Sequence, residues 1–263
     1  MLSLDGVLSS WKLDSTTRPS RPQLHLLFPP DPFLFLFQKM PPFESKDSKE
    51  DLRVVRLIKA DRDAVVAFMQ KEFRRFEPLT ASLDPTEAEA ERFIQRTVDY
   101  CLKYPISFAM KKEDGTIVGI CLNTYLTRPK EGDEEPSGLD DVKTNEVVKI
   151  VHFLRAQEWK ILPQDIKNVV DVAILTVDSA YARRGIACTL LKELNEEKIK
   201  AEGVQGLVSE LTNVKSQNLL TQKFGFKEIY SIDLADWKDD QGRQIFECSK
   251  FDTYKSISAF KAL

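Results

Sequence analysis

The sequence predicts a single mixed α/β domain over residues 51–263, in which a sheet of six or seven strands is flanked by helices. Strand-like and helix-like stretches alternate along this part of the chain, as is typical of mixed α/β proteins. Residues 169–177 are almost wholly apolar, which is expected of a central strand that is buried on both faces. A chain of this length can bury a sizeable core.

The first predicted elements are a strand and a helix. Residues 52–58 are rich in β-branched side chains, which favour a strand. Asp61 can cap a helix whose apolar residues recur every three or four positions as far as Phe76. Pro78 is predicted to end this helix, because proline cannot donate the hydrogen bond that a helix interior requires.

A capped helix and a hairpin follow. Thr86 and Glu89 have the spacing of a capping box, which predicts a helix from there to residue 102. The turn-forming residues Glu113-Asp-Gly115 predict a hairpin. This hairpin joins strands at 106–110 and 116–122.

The second half of the domain begins after an acidic segment. Residues 130–141 hold six acids and one lysine, which predicts a solvated loop and no metal site. The remaining predicted elements are a helix at 144–160, a strand at 169–177, a helix that opens near Arg184, a strand at 206–212, a helix at 214–223 and strands at 226–233 and 244–251.

Composition excludes several classes of function. The chain has 38 basic and 41 acidic residues and a net charge of −3, so nothing indicates binding to nucleic acid or to an anionic membrane. Its four cysteines and two histidines lack the clustered spacing of a zinc site. We therefore expect reduced cysteines, no bound metal and a cytoplasmic, monomeric protein.

The first 50 residues differ from the rest. An apolar run at 24–37 is divided by prolines into pieces too short for a membrane helix, and it lacks the features of a secretory signal. We expect residues 1–50 to be a disordered or non-native extension. Met40 is a plausible alternative start.

A basic turn between a strand and a helix is the most informative feature. The strand ends at Val177 and the helix opens after Gly185, which leaves backbone N–H groups unpaired at the positive end of the helix dipole. Arg183 and Arg184 add positive charge beside the small Ala187. This arrangement predicts a site for the diphosphate of a nucleotide-like cofactor.

Two motifs give the chain a family resemblance. Ala182-Arg-Arg-Gly-Ile-Ala187 and Lys223-Phe-Gly-Phe226 resemble, in type and spacing, segments of the GNAT superfamily of acyl-CoA-dependent N-acyltransferases. The resemblance implies acetyl-CoA as co-substrate, with its diphosphate on the turn and its pantetheine arm along the strand. Eight residues are then predicted to bind it: Leu175, Val177, Arg183, Arg184, Gly185, Ile186, Ala187 and Cys188.

A narrower resemblance lies upstream. Residues 73–83 resemble the Phe…Glu-Pro-Leu…Leu segment of invertebrate arylalkylamine N-acetyltransferases, of the kind that acetylate dopamine. That branch uses the glutamate as general base, which here is Glu77, and places hydroxyl residues four positions apart, which here are Thr212 and Ser216. All three are predicted to be catalytic. Substrate-binding residues are predicted beside the base: Phe73, Phe76 and Leu79.

The resemblance leaves the substrate open. An apolar pocket with one acid suits an arylalkylamine such as dopamine or tryptamine, and the alternative is a diamine or polyamine such as putrescine or agmatine. A second alternative is a non-catalytic acyl-CoA-binding module. Ala182 stands where the family has Gln or Arg, and no tyrosine lies near Leu220 and Thr221, where many relatives have an acid that protonates the departing thiolate.

Overall fold

In the part of the chain that the structure describes, eight strands form one mixed sheet. The computed structural model describes residues 44–47, 51–130 and 142–263. The strand order across the sheet is β1-β2-β3-β4-β5-β6-β8-β7. The strands are β1 (Glu44–Asp47), β2 (Leu52–Arg56), β3 (Phe108–Lys111), β4 (Ile117–Thr127), β5 (Asn168–Val177), β6 (Gly206–Leu211), β7 (Lys227–Asp233) and β8 (Lys255–Ala262).

Helices cover both faces of this sheet. Helix α1 (Arg62–Phe68) continues through a π-helical turn, Met69–Phe73, into a last α-helical turn, Arg74–Phe76. The other helices are α2 (Pro78–Leu83), α3 (Glu87–Cys101), α4 (Val142–Ile161), α5 (Ile186–Lys192), α6 (Glu196–Ala201) and α7 (Val214–Lys223).

Two large apolar clusters show how the layers pack. One cluster contains Ile186 and Leu190 of α5, together with Leu220 of α7. The other contains Val65 of α1 and Ile94 of α3, on the opposite face of the sheet. Helix α4 contacts β6, β7 and β8, and its Ile150 packs in a third cluster with Leu79 of α2. The sheet is therefore a middle layer, as predicted for this fold class.

β5 and β6 separate part-way along their length. They pair in parallel only where Val169–Asp171 lies beside Gly206–Val208. Beyond these residues β5 remains paired with β4 as far as Val177, and β6 remains paired with β8 as far as Leu211. The two strands therefore diverge, and the opening between them widens towards their carboxyl ends.

Most of the predicted elements are confirmed, including the capping box of α3. Thr86 Oγ1 accepts from Glu89 N at 3.2 Å, and Glu89 Oε2 accepts from Thr86 N at 2.7 Å. The strand predicted at 244–251 is wrong. Gln244 forms only an isolated bridge with Lys238, and residues 249–251 form a 3-10 turn. Both β6 and β7 pair instead with β8.

Two predictions concern the ends of the described ranges. β1 lies inside the segment assigned to the extension, so the sheet begins before residue 51. The rest of the prediction for 1–50, and the loop predicted at 130–141 apart from residue 130, fall outside the described residues.

Candidate active site

Glu77 caps α2 with its own side chain. Pro78 occupies the first position of that helix, and the Glu77 carboxylate accepts hydrogen bonds from the next backbone N–H groups, Leu79 N at 3.2 Å and Thr80 N at 2.7 Å. Proline is favoured at a helix start because its missing N–H would have no intrahelical partner there. Pro78 was predicted only to end a helix; it also starts the next one, which fixes Glu77 at the junction.

Two hydroxyl groups complete the surroundings of this carboxylate. Thr80 Oγ1 donates to Glu77 Oε2 at 2.6 Å, and Thr212 Oγ1 donates to Glu77 Oε1 at 2.7 Å. Each carboxylate oxygen therefore accepts two hydrogen bonds, and an ionised carboxylate has about four such positions in all. Glu77 is only 9% exposed.

Burial has the largest effect on the pKa of Glu77. Removal from water raises its pKa above the ordinary value, and the hydrogen bonds from Thr80, Thr212 and the Leu79 N–H oppose that shift without cancelling it. A carboxylate whose pKa is raised in this way accepts a proton more readily than one at the surface. The direction of this shift is the one that a general base requires.

The two predicted hydroxyl residues, Thr212 after β6 and Ser216 in α7, have different surroundings. Thr212 follows the last residue of β6, at the open end of the β5–β6 gap, and its hydroxyl contacts Glu77 directly. Ser216 lies in the first turn of α7, and its hydroxyl donates to the Asn213 carbonyl at 2.9 Å. The structure brings Glu77 and Thr212 together, whereas the described hydrogen bond of Ser216 is a local helix-end contact.

The basic turn has the backbone geometry of an anion site. Gly185 has φ +83° and Arg183 has φ +63°, both in the left-handed region. The helical hydrogen bonds of α5 begin with Thr189 N donating to the Gly185 carbonyl at 3.0 Å, so the N–H groups of Ile186, Ala187 and Cys188 have no intrahelical acceptor. A side chain built at Gly185 would meet no atom within 4 Å, which leaves space for a phosphate.

The side chains of the turn divide into buried and exposed groups. Ile186 is 4% exposed and packs in the core, so only its backbone can face a ligand. Arg183 is exposed, and the Arg184 guanidinium lies 4.7 Å from the centre of the Tyr181 ring. Cys188 is half-buried on the first helical turn. Phosphate binding through these side chains stays a prediction.

Leu175 and Val177 lie on the diverging part of β5. Their backbone partners are in β4, where Cys121 pairs with Leu175 and Gly119 pairs with Val177. On the other side, the described ladder with β6 ends at Asp171. This edge of β5 can therefore pair with an extended ligand in the way that a neighbouring strand would.

Helix α1 is tied to the turn that follows β5. Lys71 Nζ contacts Asp178 Oδ2 at 2.7 Å, and Glu72 Oε2 accepts from Ser179 N at 3.1 Å. Burial would raise the pKa of Asp178, but the hydrogen bonds from Lys71 and from the Ala180 N–H hold it below its ordinary value. These contacts come from the π-helical turn, a feature that is frequent at functional sites.

The three predicted substrate-binding residues have unequal exposure. Phe73 is 8% exposed and packs near Phe93, while Leu79 is fully buried against α4. Phe76 is 45% exposed beside Glu77. Only Phe76 therefore offers a large apolar surface to a ligand in this conformation, and the substrate-binding role of all three stays a prediction.

Comparison with solved structures identifies the fold. Arylalkylamine N-acetyltransferase 2 from Aedes aegypti superposes with a TM-score of 0.67 at 20% identity, over 81% of this chain and 99% of that chain. The mosquito protein "arylalkylamine N-acetyltransferase like 5b" gives a TM-score of 0.67 at 18% identity, over 81% of this chain and 100% of that chain. The chain has the fold of these N-acetyltransferases.

A third solved structure is that of an enzyme with a different substrate. Drosophila melanogaster polyamine N-acetyltransferase, which catalyses the formation of N-acetylagmatine, gives a TM-score of 0.63 at 17% identity, over 81% of this chain and 100% of that chain. The resemblance drawn from the sequence motifs is thus confirmed at the level of the fold. No protein-family model and no curated protein sequence matches the chain.

Two further findings concern membranes and metals. In the described ranges no helix has the length and apolar character needed to cross a bilayer. Nor do the His, Cys, Asp and Glu side chains of those ranges form a group of three or more that could hold a metal ion.

Thr80 was missed by sequence reasoning. It stands at the third position of α2, where its backbone N–H and its hydroxyl both reach the capping carboxylate of Glu77. The signal was available, because an acid followed by proline and, two residues later, by threonine is a helix start in which the acid is the cap.

Proposed function

We propose that this protein is an acetyl-CoA-dependent N-acetyltransferase, which transfers acetyl to a small primary amine by direct attack in a ternary complex. The observation that carries the proposal is the contact between Glu77 and Thr212, which brings a buried carboxylate to the open end of the gap between β5 and β6. The shared fold and the turn at Gly185 support the cofactor.

The reaction requires a cofactor site, and the residues present fit one. The N–H groups at the start of α5 and the open space at Gly185 suit a diphosphate, while the edge of β5 near Leu175, beyond its described ladder with β6, suits a pantetheine arm. When bound, acetyl-CoA supplies the thioester that the amine attacks. The chain's part is to hold that group and the amine side by side, which lowers the entropic barrier to their reaction.

The reaction also requires a proton acceptor. An alkylamine has a pKa of about 10, so at neutral pH it arrives as an ammonium and must lose a proton before it can attack. Both oxygens of Glu77 already accept two hydrogen bonds each. We therefore assign Thr212 as the relay: its oxygen accepts the proton from the amine while its own proton passes to Glu77 Oε1.

The choice between amine classes depends on the side chains near Glu77 and Thr212. An arylalkylamine is the class that the resemblance favours, through Phe73, Phe76 and Leu79. Two of these three side chains are buried in the core, which leaves Phe76 as the apolar contact beside Glu77. A diamine or polyamine is the alternative.

Release of the free CoA thiol tests the proposal. Purified protein is incubated with acetyl-CoA and a panel of primary amines, and Glu77→Gln is compared with the wild type and with Glu87→Gln, a control at an exposed carboxylate on α3. We expect turnover by the wild type and by the control, and a loss in Glu77→Gln of about 10² or more that recovers in part as pH rises, because more amine is then neutral.

The alternative hypothesis is that the protein is a non-catalytic acyl-CoA-binding module. It predicts that CoA raises the melting temperature of the protein while no amine in the panel releases thiol above the uncatalysed rate. An undiminished rate in Glu77→Gln at neutral pH would mean that the protein is an acetyltransferase whose mechanism does not use Glu77.

A further inference from the structure

The π-helical turn of α1 places two charged side chains against the segment that leads from β5 to the basic turn. Lys71 Nζ lies 2.7 Å from Asp178 Oδ2 and 3.0 Å from Glu72 Oε1, so one cation joins two carboxylates. Glu72 is 2% exposed, and its second oxygen accepts from Ser179 N at 3.1 Å. An ion pair and a hydrogen bond to the backbone therefore join α1 to the first two residues after β5.

The segment that Glu72 holds leads directly to the predicted diphosphate site. Its four N–H groups, at residues 179–182, all have acceptors within the chain: Glu72 accepts the first, the Asp178 carboxylate the second, and backbone carbonyls three positions earlier the other two. The Arg184 guanidinium lies over the Tyr181 ring, which ties the end of the segment to the basic turn. Of the four hydrogen bonds, the one to Glu72 is the one that reaches another helix.

Helix α1 is a well-fixed anchor for this segment. Arg74 N donates to the Met69 carbonyl, five positions earlier, and Glu77 N donates to the Phe73 carbonyl at 2.9 Å, so hydrogen bonds continue from the π-helical turn to the end of the helix. Glu77 is itself held by four hydrogen bonds to its carboxylate. Loss of a contact between Glu72 and the segment should therefore displace the segment and leave Glu77 in place.

Lys71 also balances the charge of this region. Glu72 and Asp178 place two carboxylates at the start of a segment whose predicted ligand, a diphosphate, is itself an anion. Like charges repel, so the two carboxylates alone would oppose binding. Hydrogen bonds to Asp178 and then to Glu72 raise the pKa of Lys71 above its ordinary value, so this side chain stays a cation between them.

From these observations we infer that Lys71 and Glu72 are positioning residues, which hold the basic turn in the conformation that binds the diphosphate of the acetyl donor. The inference rests on the proposed function. Neither side chain is assigned a contact with a reactant, because each acts through Asp178 or Ser179. Their loss should therefore impair the use of a donor that carries a diphosphate and spare a donor that lacks one.

The test compares two acetyl donors in the thiol-release assay with one amine. Acetyl-CoA carries the diphosphate, whereas S-acetylpantetheine has the same thioester and pantetheine arm without it. In Lys71→Met we expect kcat/KM for acetyl-CoA to fall about tenfold, mainly through a higher KM for the donor, which is the effect of losing one interaction with a charged group. The value for S-acetylpantetheine should change by less than about twofold. A purely structural role would lower both values equally.

Further variants separate the hydrogen bond from the charge. Glu72→Gln keeps an oxygen that can accept from Ser179 N, so it should retain more activity with acetyl-CoA than Glu72→Leu, which leaves that N–H without this acceptor. Lys71→Arg should keep the wild-type ratio of the two kcat/KM values, because a guanidinium can pair with both carboxylates. Lys149→Met is the matched control, since it breaks an ion pair with Glu146 of 2.6 Å on α4.

A double variant tests whether Lys71 acts through Asp178. Asp178→Asn removes the charge but keeps an oxygen that can accept from Ala180 N. It should lower the ratio of kcat/KM for acetyl-CoA to that for S-acetylpantetheine as Lys71→Met does, and the double variant should fall no further than either single one. An unchanged ratio in folded Lys71→Met, or an equal loss with both donors, overturns the inference. The Lys71 side chain is 61% exposed, so this variant should fold even if Glu72→Leu does not.

A binding measurement separates failure of the inference from failure of the proposed function. CoA should raise the melting temperature of the wild type more than pantetheine does, and this difference should shrink in Lys71→Met but not in Lys149→Met. Thiol release by the wild type, with the same ratio of the two donors in every variant, would support the acetyltransferase and overturn the inference. Absence of release with every amine would overturn the proposed function, while the melting comparison would still decide whether Lys71 supports a diphosphate site.

Discussion

Replacing Thr80 by valine should move the pH dependence of catalysis without touching the substrate. The Thr80 hydroxyl donates to Glu77 Oε2 at 2.6 Å in a buried setting, and this hydrogen bond stabilises the ionised carboxylate. Valine has nearly the same shape but no donor. The pKa of Glu77, already raised by burial, should therefore rise further.

The magnitude follows from the strength of that bond. A hydrogen bond to a charged group contributes about 1.5–3 kcal/mol, and one pKa unit corresponds to about 1.36 kcal/mol. Loss of this bond should therefore raise the pKa of Glu77. A general base acts in its ionised form, so the acidic limb of the kcat/KM profile should move to higher pH, by about one to two pH units for a bond of that strength.

The assay is thiol release with one amine at a series of pH values, so that the titration of the amine is common to all variants. Thr80→Ser keeps the hydroxyl and should return the limb towards its wild-type position. An acidic limb that stays in place in Thr80→Val, or that moves to lower pH, would refute the assignment of Glu77 as the base whose ionisation controls the rate.

Three other predictions concern Thr212, Gly119 and His152. Thr212→Val should lower kcat by about 10²–10⁴ and Ser216→Ala by far less, because the Thr212 hydroxyl contacts Glu77 whereas the Ser216 hydroxyl bonds to the Asn213 carbonyl. Equal losses in thiol release would contradict the relay. Gly119→Ala should lower the free energy of unfolding in urea by about 1–3 kcal/mol, because the added Cβ would lie 2.8 Å from Ile186 Cγ2. The double variant with Ile186→Ala should lose less stability than the sum of the losses in the two single variants. Burial lowers the pKa of His152 to about 4 in the folded protein, whereas the unfolded chain takes up this proton near the ordinary value of about 6.5. Wild-type stability should therefore fall relative to His152→Gln as pH drops through that interval, by up to about 1.36 kcal/mol per pH unit. Equal stability changes of the two proteins in urea across these pH values would exclude this contribution.

Local signals in the sequence predicted local structure well. The capping box at Thr86 and Glu89 sets the start of α3, and the apolar run at 169–177 is a central strand, because both depend on residues close in the chain. The strand expected at 244–251 shows the limit of such signals. Alternation of side chains makes a strand possible, but β6 and β7 both pair with β8, which the pattern within 244–251 does not reveal.

The candidate site was predicted in part. The motif around Glu77 pointed to that residue through a family resemblance, yet its contact with Thr212 joins positions 135 apart in the chain. No spacing rule reveals such a contact. Asp171 is the one charged residue inside the apolar run 169–177, but its buried ion pair with Arg155 of α4 follows from the packing of that helix on the sheet, which the run itself does not reveal.

The position of β8 has a consequence for how the chain folds during synthesis. β8 is made after β7 but lies between β6 and β7, with Leu211 paired to Ile257 on one side and Asp233 paired to Lys255 on the other. Until β8 leaves the ribosome, β6 and β7 expose unpaired backbone edges, which favour association with other chains. Thr212, at the end of β6, is therefore held by a strand that completes its pairing late, and a nascent chain arrested before residue 255 should be aggregation-prone and unable to form the contact with Glu77.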